Sequence, residues 1–227
     1  MVYQEKWLKV EFHCHTAASM DSNNYLTRLL DAARQRGLDR LAITDHNTIR
    51  AALKAKKMAP ELIIVGEEVR TRQGELIAYY LSEEIPAGLE AWQTIEKLKE
   101  QKAFVSVPHP FDRQRSGWDL HELESILSDL DGIEIFNSRC FDLSANQKAK
   151  EFAQKKDLAA LVGSDAHSCF ELGMATMQLP WFDNVEQLRQ VVRQGQIETQ
   201  PVSPLDHVLA NGSILLEKLQ PWNWKRE

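Results

Sequence analysis

Disulfide staples, membrane spans and a basic surface are all missing from this chain of 227 residues. Its three cysteines, Cys14, Cys140 and Cys169, are odd in number, widely spaced and form no CxxC pair. That excludes a disulfide framework and a zinc ribbon. The longest apolar runs, such as Leu62–Val65 and Leu158–Val162, fall far short of a transmembrane helix. Met1 to Val10 has no apolar core of signal-peptide length. A reduced, cytoplasmic protein with no membrane partner is expected. Lys and Arg number 27 against 33 Asp and Glu, a net charge of −6, so no basic footprint exists for duplex nucleic acid. Also absent are a GxSxG elbow, a GxxxxGK[ST] loop, a GxGxxG turn and a Cys followed six residues later by Arg. Covalent catalysis and a bound nucleotide cofactor therefore have no support.

What is present alternates. β-favouring runs occur at Lys9–Phe12, Arg40–Thr44, Leu62–Val65, Glu75–Leu81, Ala103–Val107, Gly132–Phe136 and Ala159–Val162. Helix-periodic stretches separate most of them: Tyr25–Gln35, Leu89–Gln101, Asp119–Leu130, Ala145–Lys155 and Asn184–Gln194. Glu75–Leu81 is the exception and should pair directly with Leu62–Val65. Alternating βα units imply a largely parallel sheet, doubly wound or closed as a barrel. Residues 1–200 read as one domain. Residues 201–227, with Trp222 and Trp224, read as an extension folded back over it or set against a second subunit.

The polar residues sit where strands end. His13-Cys14-His15, Asp45-His46, Glu67-Glu68, His109, Asn137 and Asp165-Ala166-His167 each follow an apolar run. In parallel α/β architectures that end is where sites assemble. His13 and His15, two apart on an extended segment, point to one face and Cys14 to the other. Imidazole and carboxylate with little thiolate suit Zn, Mn or Fe. More than four histidines suggest at least two ions, an arrangement that clamps a phosphoryl group. Arg113 and Arg139 follow strand ends and could grip phosphate through a planar fork. A surface salt bridge explains each about as well.

The ordered motifs His13-x-His15, Asp21, Ile43-Thr44-Asp45-His46, Gly66-Glu67, Pro108-His109-Pro110 and Gly163-Ser164-Asp165-Ala166-His167 resemble the PHP (polymerase and histidinol phosphatase) family. The resemblance implies a distorted (β/α)7 barrel with two or three divalent metal ions (Zn, Mn or Fe) at the C-terminal mouth of the strands. It implies His13, His15, Glu67 and Asp165 around one ion, Glu67 shared with a second at His109, and Asp21, His46 and His167 around a third. Asp45 would hold a neighbouring histidine ring, or cap the helix after Asn47. Many members carry a histidine where this chain has Glu75-Leu76-Ile77-Ala78-Tyr79-Tyr80, so Cys140 or Glu134 is expected to complete the second ion. Glu67 to His109 leaves no room for a large cap. The expected activity is hydrolysis of a small phosphorylated metabolite or nucleotide by metal-bridging hydroxide, with Asp165, His167, Arg139 and Arg113 as catalytic residues. An exonuclease or nucleotidase acting on short oligonucleotides and a metal-loaded, non-catalytic binding module are the alternatives.

Overall fold

The computed structural model describes residues 6–115, 117–203 and 212. In chain order the elements are β1 (Trp7–Glu11), α1 (Leu26–Gln35), β2 (Arg40–Ile43), α2 (Arg50–Met58), β3 (Ile63–Arg70), β4 (Glu75–Tyr79) and α3 (Ala91–Glu100). There follow β5 (Phe104–Val107), α4 (Leu120–Ser125), β6 (Gly132–Asn137), α5 (Leu143–Lys156), β7 (Ala160–Gly163), β8 (Ala175–Pro180), α6 (Val185–Val191) and β9 (Gln196–Thr199). The Trp222/Trp224 extension lies outside the described residues. Among the described residues, no helix is long and apolar enough to cross a membrane.

Local chemistry sets the helices. Leu29, Leu30 and Ala33 form the buried stripe of α1, and Gly37, at φ +66°, turns the chain back toward β2. A reciprocal Glu90/Gln93 capping box starts α3, and the Asp119 and Asp142 carboxylates accept amide hydrogens at the starts of α4 and α5. Their apolar faces cover a sheet whose fully buried side chains include Phe12, Ile43, Ile63, Leu76 and Phe104.

The sheet runs β7-β6-β5-β4-β3-β2-β1-β8-β9 and curls into a nearly closed barrel of the expected distorted type. It departs from seven parallel strands in two ways. The strand β4 is antiparallel to both β3 and β5, because only the short Thr71–Gly74 turn separates it from β3, and so short a link can join only antiparallel neighbours. Two further strands, β8 and β9, extend the sheet beyond β1 in antiparallel fashion. The antiparallel setting of β4 has a positional consequence. Its amino end, Glu75, pairs with Arg70 at the carboxyl end of β3 and so lies at the mouth.

Candidate metal centre

Backbone pairing at the barrel seam assembles the site. Just past β1 and β7 the two segments join: Asp165 N donates to His13 O (2.8 Å) and His15 N donates to Ala166 O (2.9 Å). Alternation then points both imidazoles into the mouth and Cys14 into the core, where its Sγ donates to Ala42 O. His109 (φ +27°) and Asp165 (φ +54°) adopt left-handed backbone that non-glycine residues rarely use. Such strain is a common mark of functional sites.

Four ligand-type atoms converge. His13 Nε2 and His15 Nε2 are 3.1 Å apart. Glu68 Oε2 lies 3.5 Å from the first and 3.3 Å from the second, and Asp165 Oδ1 lies 3.5 and 3.2 Å from them. A tetrahedral ion with bonds of about 2.0–2.1 Å requires ligand–ligand edges of about 3.3 Å. These five separations match five of the six edges of such a tetrahedron. Glu68 also turns Oε1 to His109 Nε2 at 3.1 Å, so its carboxylate faces two positions. A third grouping places Asp21 Oδ2 at 3.2 Å from His167 Nε2 and 3.5 Å from His46 Nε2. The nitrogens of His15, His46 and His167 themselves lie within 4.8 Å of one another.

The surroundings fix which nitrogen faces inward. Glu134 Oε1 accepts from His13 Nδ1 (3.0 Å), and Asp165 O accepts from His167 Nδ1 (2.8 Å). Ser19 Oγ donates to Asp45 (2.8 Å) and so accepts from His15 Nδ1 (3.3 Å). Each of these rings therefore has its Nδ1 hydrogen engaged away from the cluster and turns Nε2 toward it, the nitrogen placed to bind metal. Asp45 acts on His15 through Ser19 and through the turn it holds by Thr16 N (2.6 Å) and Thr16 Oγ1 (2.7 Å). It caps no helix, since α2 begins after Ile49.

The field of the site is negative and draws positive charge. Burial opposes ionisation of Asp165 and Glu68, yet the charge of His13, aided by Arg115 and His46 respectively, holds both well below the usual carboxylate range. Burial likewise works against charge on His46, but Glu68 and Asp21 lift it to about 11. His15 falls to about 3, through burial and the neighbouring His167 and His46.

Several expected residues lie elsewhere. Glu67 is not in the cluster: it points to the opposite side of β3, where Oε2 accepts from Ile85 N (3.0 Å). Glu68 takes the place expected for it. Arg113 is exposed. On the single 3₁₀ turn of Arg113–Arg115, at three residues per turn, residues two apart point well away from each other, and Arg115 is the one that faces inward. Arg115 pairs with Asp165, with Asp112 (3.0 Å) and with Asn137 Oδ1 (3.0 Å). Cys140 does not join the second position; its Sγ lies against Arg115 (3.2 Å) and Asp112 (3.4 Å). Both oxygens of Glu134 are occupied by His13, His109 N (2.8 Å) and Asn137 Nδ2 (3.0 Å). The acidic side chain that does reach this region is Glu75, which the reading of strand carboxyl ends passed over. Arg139 reaches the same cleft, of about 320 Å³, with Phe141. Buried Glu171 steadies its guanidinium (Nε to Oε1, 3.4 Å) while accepting from His167 N (2.9 Å).

Comparison with known proteins agrees with this architecture. Residues 11–105 match the PHP domain and residues 144–197 the PHP-associated family. An uncharacterized protein of Methanocaldococcus jannaschii is 38% identical over 172 residues, 74% of this chain and 69% of that one. A two-domain Bacteroides vulgatus protein containing a predicted PHP-like metal-dependent phosphoesterase superposes with a TM-score of 0.71 at 21% identity, over 86% of this chain and 65% of that one. The lesion-specific endonuclease EndoQ of Pyrococcus furiosus does so with a TM-score of 0.63 at 16% identity, over 87% of this chain and 60% of that one. This chain therefore spans less than two thirds of either solved relative, and what it shares with them is the fold. With its extended match to the archaeal relative and its matched domain, this chain belongs to the PHP family.

Proposed function

We propose that this protein hydrolyses the phosphoester of a small phosphorylated nucleotide or metabolite on a centre of two or three divalent ions. The observation that carries the reading is the convergence of His13 and His15 Nε2, 3.1 Å apart, with Glu68 and Asp165 oxygens each 3.2–3.5 Å from both, the shared Glu68 carboxylate opening onto His109. In this reading His13, His15, Glu68 and Asp165 hold one ion, Glu68 and His109 a second, and Asp21, His46 and His167 a third. Bound there, the ions supply Lewis acidity and water acidified toward neutral pH.

The chain's own groups do the rest. Asp165 turns Oδ1 to the histidines and Oδ2 to Asn137 (3.2 Å) and Arg115, so its orientation is fixed on both sides. Arg139 presents a planar fork at the rim of the cleft, suited to the non-bridging oxygens of a phosphate, whereas the guanidinium of Arg115 is spent on Asp165, Asp112 and Asn137. His167 spends Nδ1 on Asp165 O, which fixes its ring and leaves Nε2 beside Asp21 for the third ion. The exposed ring of Phe141 beside Arg139 gives a planar base something to lie on, which favours nucleotides. That same ring is what favours the second reading, a nuclease acting on the end of a short oligonucleotide.

Metal content and turnover test the proposal together. Purified protein should hold about two to three transition-metal ions per chain, and chelation should abolish phosphatase activity. The assay panel, run with Mn, comprises phosphomonoesters, nucleoside bisphosphates and 5′-phosphorylated RNA. Turnover by metal-free protein, or none on any substrate at full occupancy, would overturn it. Replacing Arg139 with Ala should raise KM for the preferred substrate about tenfold or more, the loss of a charged hydrogen bond. Metal content should not change, because Arg139 is paired with Glu171, which is not one of the proposed ligands.

A further inference from the structure

The amino end of β4 delivers a carboxylate that neither the family match nor the strand-end pattern assigns. Glu75 Oε2 lies 3.9 Å from His109 Nε2. Single ligand atoms of His46, Glu68 and Glu75 fall within 4.8 Å of one another. The side chain is largely buried, at 14% exposure, and among the described residues no Lys or Arg pairs with it. Two carboxylates are thus brought together below the surface with only imidazoles beside them, an arrangement that a shared cation relieves. Its backbone is anchored: Trp118 Nε1 donates to Glu75 O (3.0 Å), and the indole lies so close over Gly74 that any Cβ there would run into the ring. A mobile surface glutamate would need no such support.

We infer that Glu75 is the third protein ligand of the ion held by Glu68 Oε1 and His109 Nε2, and that it sets that position's metal preference. The inference rests on the metal-centre reading above. Two carboxylates and one imidazole make this position harder than the neighbouring one, which has two imidazoles and two carboxylates. Oxygen-rich sites favour Mn2+ and Mg2+, whereas added imidazole favours Zn2+. The second position should therefore take Mn2+ in preference to Zn2+ more readily than the first.

The test titrates metal-free full-length protein with Mn2+ and, separately, Zn2+ by calorimetry, and counts retained ions by elemental analysis. Glu75→Gln should lose one ion per chain, or weaken the weaker Mn2+ step about tenfold or more, while the tighter step persists. Glu75→His should restore the ion count and raise the Zn2+-to-Mn2+ affinity ratio of that step about tenfold or more. Equal melting temperatures of the metal-free variants exclude misfolding as the cause. A wild-type chain that binds metal, with both variants matching it in count, affinity and ratio, overturns the role of Glu75 alone. A wild-type chain that takes up neither metal overturns the metal centre itself.

Discussion

Glu68→Gln is expected to strip the centre of metal and lower turnover at least about 10³-fold, whereas Glu67→Gln leaves both within about threefold. The first substitution removes the one carboxylate that faces His13 and His15 with one oxygen and His109 with the other. A thousandfold loss corresponds to about 4 kcal/mol of transition-state stabilisation, a reasonable share for a group that would organise two ions. Glu67 has no such reach. Its carboxyl lies under Ile85, and burial, with a small addition from Glu84, pushes its pKa up to about 7. A folded-state value above the unfolded one means that Glu67 supports folding below the ordinary carboxylate pKa. That support is lost as pH rises through 7. The amide should therefore be neutral near pH 4.5 and stabilising at pH 8, by on the order of 1–3 kcal/mol. Elemental analysis, steady-state kinetics and denaturation at the two pH values read all of this. Metal loss in Glu67→Gln with retention in Glu68→Gln would reverse the assignment.

Gly163→Ala should be nearly as damaging without touching a ligand. A methyl group at this position, at the end of β7, runs into His13 Cβ and Glu134 Oε1. Neither can yield freely. His13 is held in the seam by Asp165 N, and Glu134 also accepts from His109 N and Asn137 Nδ2. Overpacking of this kind costs about 1–3 kcal/mol, and turning Glu134 away from His13 Nδ1 should weaken metal binding about 10–100-fold. Denaturant unfolding and metal titration would measure the two effects. A variant with wild-type affinity would show that the Glu134 contact does not orient His13.

The barrel and most of its mouth were legible because apolar runs and polar residues alternate so regularly. Each run that ends in His, Asp or Asn became a strand ending at the mouth. The adjacent pair Glu67-Glu68 was not resolved, for a physical reason. Residues 63–69 of β3 are buried on both faces, so no alternation of polar and apolar residues marks which side looks inward. Arg115 was missed because a three-residue 3₁₀ turn has no periodicity to read. Glu75 was within reach: its strand was expected to pair directly with β3, and an antiparallel strand brings its amino end to the mouth. The strand β9 offers no pattern to read because it is exposed along its whole length and so has no buried face.

One feature of the seam ties folding to occupancy. Among the described residues, the sheet ends at β7 on one side, and beyond β1 it continues into β8 and β9. The barrel is therefore shut by the backbone bonds between His13–His15 and Asp165–Ala166 and by the Glu11 carboxylate, which accepts from Ser164 N (3.0 Å). The side chains of His13, His15 and Asp165 converge on the proposed first ion. An ion there would act as a clasp, cross-linking the first and last parallel strands of the barrel across the gap that closes it. Metal affinity and barrel closure then become a single quantity, with tighter binding favouring the closed seam and a closed seam pre-forming the site.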